Sequence, residues 1–528
     1  MVSSVKDRGN AILDFYHADG EVEIGDLPWE NPEAFAMEVE QNATSFTGML
    51  HNGPVHGTDL GKDQVSPSTG DLFGLLRDVQ RVADIVSSSL GVFTPHRWKF
   101  KHGPGAVADK VPRSSTSKYS FRNWSDKLES FFPYADFAVA NYACVEEESV
   151  EELLSRGFFE EPPAKLYAVP KTLKTPRLIA SEPTAHQWCQ QAVREFLYSR
   201  VRRSFMDQFI SFDDQTINGQ LALEASHGQT HSTIDLKSAS DYISCRHVER
   251  LFRRSPTLLH ALHACRSTEL KQDLCVKSPK TYRIRKFTTM GNACTFPVQS
   301  IFFAVLAIAS VLNTRKQRVS MKNIRLLGRR TVRVFGDDVI VPADCTEALL
   351  GLMSHLNLRV NTLKTFKTGS FRESCGIDAF DGVDVSSVSI TMCPSRTSPS
   401  SIVSCVEVHN NLLSAGYLQT AAYIRKTASF PGLNKVRETK HGDGAFGWNV
   451  FGAPSFAGFR LRVNKALQRL EVLCLQQTTV EKRAPAEGYP ALLQYFTEAA
   501  KEVTSAKSTL GHLTRRPKVR LGLRWAPV

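Results

Sequence analysis

RVFGDDVIVP, Arg333 to Pro342, sets two apolar, β-branched arms around a Gly-Asp-Asp turn. That pattern predicts a β-hairpin over Val332 to Val341 with adjacent carboxylates at its tip. Paired carboxylates on a rigid turn repel each other unless a cation neutralises them. A hard divalent ion such as Mg²⁺ does so with oxygen ligands. The plainer reading is a solvated Asp-Asp turn, since the triplet arises by chance in about one chain in ten of this length. It needs company to mean anything.

Three other segments supply that company. In TIDLKSASDYIS, Thr233 to Ser244, a short apolar strand ends at Asp235, and Asp241 follows. Beside the hairpin, Asp235 would complete a set of three carboxylates able to hold two metal ions for phosphoryl or nucleotidyl transfer. Taken alone, Asp235 could equally cap a helix begun by the Ser/Ala run. In KLYAVPKTLKTPRLIA, Lys165 to Ala180, the cations Lys165, Lys171, Lys174 and Arg177 alternate with apolar residues and two prolines. An extended basic segment of this kind suits a triphosphate; a solvated charge run is the rival reading, and the apolar interleaving argues against it. In KFTTMGNACTFPVQSIFF, Lys286 to Phe303, a loop through Gly291 and Asn292 leads into a buried helix predicted over Thr295 to Leu312. Pro297 falls in its first turn, where proline is tolerated. The loop could present Asn292 to a sugar or base, or simply open the helix. GDGAFG, Gly442 to Gly447, imitates a dinucleotide fingerprint but lacks the flanking strand and helix, and is set aside.

Length and composition bound the rest. The chain has 528 residues, 42% hydrophobic and 22% charged, with a formal net charge of +12. Wholesale disorder is excluded, three or four domains are expected, and an anionic partner such as nucleic acid is favoured. Eleven scattered Cys form no C-x-x-C pair and no zinc spacing, which points to a reducing, cytosolic setting. The N-terminal stretch lacks a secretory apolar core, and the run Ile301 to Leu312 is shorter than the ~20 residues that span a bilayer. Further expectations are a loop at residues 51–70, a helix over Thr184 to Arg203, and a mainly helical region from about Ser400, interrupted by Gly-rich residues 441–459. The tail Leu513 to Val528 carries five basic groups and no acid. It reads as an RNA-holding segment or a solvated basic terminus.

Taken in order, the segments resemble the palm-domain RNA-dependent RNA polymerases, and more narrowly the replicase subunits of positive-strand RNA bacteriophages, the leviviruses. The matching pieces are HGPGA from His102, VPKTLKTPR from Val169, DQTIN (Asp214 to Asn218), IDLKSASDYIS, MGNACTFPVQSIFF, FGDDVIV and FRESCGIDAFDGVDV (Phe371 to Val385). They span roughly residues 100–395.

The resemblance implies an α+β right-hand polymerase of fingers, palm and thumb, with a small antiparallel palm sheet packed on helices. The N-terminal region and fingers would fill 1–230, the palm 231–244 and 286–398, a fingers insertion 245–285, and the thumb with its basic tail 399–528. Asp235, Asp337 and Asp338 would bind two Mg²⁺ ions, with Mn²⁺ as a substitute. Lys171, Lys174 and Arg177 would grip the triphosphate, Asp241 and Asn292 with Gly291 would meet the ribose, and Lys364 would protonate the pyrophosphate. The family's hairpin usually opens with Tyr; here Phe335 stands there, which leaves the metal ligands untouched. Implied partners are template and product RNA, nucleoside triphosphates, the host elongation factors Tu and Ts, and a ribosomal small-subunit protein, in the cytoplasm of an infected bacterium with no membrane. The rivals are a reverse transcriptase, which usually replaces Gly336 by another small residue, and a non-catalytic basic RNA-binding protein.

Overall fold

The computed structural model describes residues 69–103, 105–109, 118–119, 121, 123–138, 161–170, 176–274, 280–284, 286–388, 399–427, 436–443, 445–452, 454–456, 458–480, 492–493 and 518–527. The chain divides into two compact units, residues 1–385 with 485–512 and residues 386–484 with 513–528. Each is a mixture of helices and small sheets, an α+β chain. Of the loop expected at 51–70, only residues 69 and 70 are described, and they open a helix.

In the first unit the chain order is α1 (Thr69–Leu90), β1 (Ala164–Pro170), β2 (Pro176–Ser181), α2 (Thr184–Arg203), α3 (Thr216–Gly228), β3 (His231–Ile234), α4 (Cys245–Leu251) and α5 (Pro256–Cys265). Then come β4 (Glu269–Lys271), β5 (Thr281–Arg283), α6 (Thr295–Thr314), α7 (Met321–Leu327), β6 (Arg333–Phe335), β7 (Asp338–Pro342), α8 (Thr346–His355), β8 (Phe371–Ser374), β9 (Ile377–Phe380) and β10 (Val383–Asp384). The predicted hairpin is β6–β7, and the predicted short strand β3 joins it as an antiparallel sheet of order β3-β7-β6. Residues 360–366 run along the outer side of β3, bridging at Thr233 and Leu236, while Ile210 bridges to Val334 on the other side. Neither edge is left to template a foreign strand.

Helix α6 is the keel of this unit. Its residues Pro297 to Leu312 are buried throughout, because its apolar side chains occupy every face rather than one stripe. Ser300 and Ser310 survive there by donating their hydroxyls to Phe296 and Leu306 carbonyls one turn back. Among the described residues this helix is the one long and apolar enough to cross a membrane, yet it is a core helix, almost wholly covered by protein. α1 and α8 pack along it, and Val334, Val339 and Val341 join its apolar cluster. Each such buried side chain contributes about 1.5–3 kcal/mol.

A second sheet, of order β2-β1-β4-β5, carries the basic segment. β1 and β2 form an antiparallel ladder from Lys165↔Ser181 to Pro170↔Pro176.

The second unit corrects the sequence reading. Helices α9 (Pro399–Ser414) and α10 (Leu418–Thr427) appear as expected, but strands follow: β11 (Glu438–Thr439), β12 (Trp448–Asn449), β13 (Arg460–Asn464), β14 (Arg469–Val480) and β15 (Lys518–Pro527). The region is not mainly helical. Of the basic tail, Lys518 to Pro527 form β15, paired with β14 along that strand, so this part is sheet rather than a solvated terminus; residues 513–517 and 528 lie outside the described residues. Leu, Arg and Gln favour helices locally, but Val472 and Cys474 alternate along β14 and are buried with Ala526 of β15, the period-2 pattern of a strand.

Candidate active site

Strand alternation brings the carboxylates together. Ile234, Val339 and Val334 are cross-strand neighbours on the face buried with α6. Asp235 and Asp338, adjacent to them in sequence, therefore share the opposite face, with Thr233, Ile340 and Arg333. Extending the β3–β7 register by one residue sets Asp235 opposite Asp338.

Gly336 and Asp337 form the two-residue turn. Gly336 has φ +66°, whereas Asp337 is not left-handed, the pattern of a type II′ turn with glycine first. A Cβ on Gly336 would also come within 3.0 Å of the Phe296 ring, and its amide donates to Ser300 Oγ at 3.1 Å. The turn is thus pinned to α6, with Asp337 exposed at its tip.

The environment penalises negative charge here. Burial, and then Asp337, raises the Asp235 carboxyl above its usual range. Burial, and then Asp337 and Asp235, pushes Asp338 up to about 7. Asn361 holds Asp235 twice: its amide N–H donates to the Asp235 carbonyl at 2.9 Å and its Nδ2 to Oδ2 at 2.8 Å. Cys375, at φ +53° in the β8–β9 turn with Gly376, points its Sγ at Asp338 Oδ2, 3.6 Å away. Lys364 Nζ lies 2.7 Å from Glu373 Oε1; that contact, with Asp235 and Asp338 behind it, holds its ammonium above the usual range.

Oxygen donors and uncompensated negative charge fit a hard divalent cation. Among the described residues, no three His, Cys, Asp or Glu side chains already converge on one metal-sized point. The carboxylates form a charged mouth rather than a closed cage. That suits Mg²⁺, which keeps several waters and takes one or two carboxylates plus substrate phosphates.

The other predicted residues fall into two groups. Asp241 is tied to Lys286, each side chain only 16% exposed, and Phe287 N–H donates to the Ile243 carbonyl at 2.8 Å, so these segments run together. Five residues beyond Lys286, Gly291 has φ +124°, and a Cβ there would lie 1.9 Å from the Ala180 carbonyl oxygen. The Ala180 N–H in turn donates to the Met290 carbonyl at 2.7 Å, so this loop is welded to β2. Ile179, touching the same glycine site, alternates with Ala180 and so shares its face of β2 with the exposed Arg177. Asn292 is buried, its Oδ1 accepting from Cys294 N–H at 2.8 Å. Lys171 and Lys174 lie outside the described residues.

Two motifs serve as framework. In HGPGAVAD, Ala108 N–H donates to the Glu182 carbonyl at 2.9 Å and Asp109 accepts from Thr184 N–H at 2.9 Å, capping α2. In DQTIN, Asp214 accepts from Thr216 N–H at 2.9 Å to start α3. Asn218 accepts from the Nε of the fully buried Arg333, at 3.3 Å. Sequence reasoning assigned no role to Asn361, Cys375, Glu373 or Lys286. Glu373 and Cys375 lie within FRESCGIDAFDGVDV and Lys286 opens KFTTMGNACTFPVQSIFF, so these three sit inside motifs that mark the segment without marking the residue.

The description "RNA replicase, beta-chain" belongs to the family model that matches residues 132–403, more than half of the chain. The chain belongs to that family. It is 34% identical over 220 residues to the RNA-directed RNA polymerase beta chain of Enterobacteria phage fr, a stretch covering 42% of this chain and 36% of that one. With the RNA-directed RNA polymerase subunit beta of Escherichia virus Qbeta it shares 37% identity over 221 residues, 42% and 34% of the two chains. With the beta chain of Escherichia phage MS2 the figures are 33% over 220 residues, 42% and 36%. The matched stretch thus spans about a third of the length of these relatives.

Proposed function

We propose that the chain is an RNA-dependent RNA polymerase that replicates a phage RNA genome in the cytoplasm of its bacterial host. The reading gives it a right-hand arrangement whose palm comprises 231–244 and 286–398. The observation that carries it is the gathering of Asp235, Asp337 and Asp338 at one end of the β3-β7-β6 sheet, in a member of the RNA replicase beta-chain family.

The reaction is attack of a 3′-hydroxyl on the α-phosphate of a nucleoside triphosphate. The 3′-oxygen–phosphorus bond forms as the hydroxyl gives its proton to solvent water, the bond to the bridging oxygen breaks, and pyrophosphate leaves. Bound at these carboxylates, two Mg²⁺ ions, or Mn²⁺ in their place, would acidify the hydroxyl and stabilise the leaving oxygen. The chain's own residues supply position. Asn361 fixes Asp235, and Ser300 fixes the turn that presents Asp337. Arg177, with Lys171 and Lys174, grips the triphosphate. Asn292, oriented by the Cys294 N–H on its oxygen, offers its amide hydrogens to a ribose. Asp241, held in place by Lys286, accepts from the 2′-hydroxyl with its remaining lone pairs. Lys364 carries a proton beside the cluster and delivers it to pyrophosphate. By the family resemblance, the elongation factors Tu and Ts and a ribosomal small-subunit protein complete the enzyme.

The test is incorporation of labelled ribonucleotides on single-stranded RNA, with and without Mg²⁺, beside Asp337→Asn. Metal-dependent product, reduced about 10³-fold in the variant, is expected. Product with Asp337→Asn near wild type sinks the metal assignment. Preference for deoxyribonucleotides would mark a reverse transcriptase, and RNA binding without turnover a binding protein. Full activity of protein free of elongation factors would remove the host subunits.

A further inference from the structure

The second unit carries a cluster that the catalytic reading does not use. On one face of β13–β14–β15, the cross-strand rows are Arg460, Leu473, Trp525 and then Arg462, Glu471, Pro527, with Asn464 opposite Arg469. Glu471 is nearly buried beneath its neighbours, its side chain 3% exposed. Arg462 Nε and Nη2 reach one carboxylate oxygen at 2.9 and 2.8 Å. Arg469 Nε and Nη2 reach the other at 3.0 and 2.9 Å, and Asn464 Nδ2 adds a fifth donor at 3.1 Å. These bonds hold Glu471 down to about 2, so it is ionised at any working pH.

The carboxylate satisfies one positive charge, and the cluster holds three. Arg462 and Arg469 keep 47% and 44% of their side chains in solvent, and Arg460 is exposed with no partner among the described residues. Arg462 also lies 4.4 Å over the Trp525 ring. Salt-bridged, stacked guanidiniums have already lost the rotamer freedom that binding would otherwise remove. Toward Leu475 the same face is covered by the α9 cluster; toward Arg460 it is open. A rigid, open face with two surplus positive charges suits a strand that alternates phosphates with flat bases, since bases stack on guanidinium planes and aromatic rings.

We propose that this face is a second binding site for single-stranded RNA, distinct from the carboxylate cluster, with Arg460 and Arg469 on phosphates and the Arg462–Trp525 stack under a base. The inference rests on the polymerase reading for the presence of RNA, but its own test does not need turnover. A phosphate-rich surface of another protein has the same charge and is separated below.

The experiment measures binding of the full chain to a labelled single-stranded RNA oligonucleotide across a salt series. Arg460→Glu changes an exposed residue that supports nothing else. Expected are an affinity about tenfold weaker and a salt slope shallower by about 1. Arg462→Lys keeps the charge but loses the fork and the stack; binding several-fold weaker is expected, with the slope unchanged. Unchanged affinity and slope in Arg460→Glu overturn the site. Arg462→Lys behaving as wild type overturns the stacked base. Equal losses for RNA and for a phosphorylated peptide of matched charge overturn RNA as the occupant. A wild type that binds RNA yet never incorporates nucleotides, even when supplied with the host subunits, sinks the polymerase reading and leaves the binding result standing.

Discussion

Asp338 and Glu471 are both largely enclosed carboxylates on small antiparallel sheets, yet the protein drives them in opposite directions. Asp338 rises to about 7; Glu471 falls to about 2. The difference is in the company. Asp338 faces Asp235, Asp337 and a thiol, whereas Glu471 faces two guanidiniums and an amide. One region has a surplus of negative charge and invites a cation. The other has a surplus of positive charge and invites an anion.

The comparison breaks hardest at Asp235. Asp235→Asn removes one of the clustered charges and is expected to lower incorporation by about 10³-fold. RNA affinity should stay as in wild type, because the anion-seeking face is untouched. Loss of both together would mean a damaged fold instead.

Next comes the pH dependence of the metal-free chain. Asp338 titrates at about 7 when folded, against an ordinary 3.8. Between those values the folded chain keeps a proton that the unfolded chain has lost. Its stability therefore falls as pH rises through that window, by up to about 4 kcal/mol. Thermal scans in chelator should show this slope, and Asp338→Asn should flatten it and raise Tm at pH 8. A Tm indifferent to both would mean that Asp338 is not penalised as described.

A smaller effect is expected at Lys286. Lys286→Met strips Asp241 of its partner. Discrimination between ribo- and deoxyribonucleotides should drop about tenfold, with Lys286→Arg largely restoring it. An unchanged ratio of the two kcat/KM values would leave the pair a framework contact. The smallest effect belongs to Glu471→Gln, which weakens the grip on Arg462 and Arg469. Tm should fall by no more than about 2–4 °C and incorporation should be unaffected. Because the folded Glu471 lies below its ordinary 4.5, its stabilising contribution is present above that pH and lost as pH falls toward 2.

What could be read from the sequence was local. The Arg333–Pro342 hairpin, the strand ending at Asp235 and the helix after Asn292 each announce themselves within a dozen residues, through alternation, turn chemistry or an unbroken apolar run. Their assembly into one sheet followed from the order of motifs. What stayed hidden was pairing across long separations. Asn361 reaches back 126 residues to Asp235 and Lys286 reaches 45 to Asp241. No local pattern marks either. β15 pairs with a strand that ends at Val480, so its own basic composition concealed that it completes a sheet. Around HGPGA and in DQTIN the opposite happened: Ala108 and Asp109, just beyond the first, and Asp214 and Asn218 in the second act as helix caps and struts.

The contact between Gly291 and the Ala180 carbonyl has a mechanical consequence. With no room for a methyl group between them and a backbone hydrogen bond beside them, β2 and the Met290–Asn292 loop are tied together, so a shift of one would be passed to the other. Arg177 rides on the first and Asn292 on the second. A small molecule that pulled on the arginine with its phosphates would carry the asparagine toward or away from its sugar in the same stroke. Charge and sugar would then be inspected jointly, and a ligand correct at one end alone would gain little from that end.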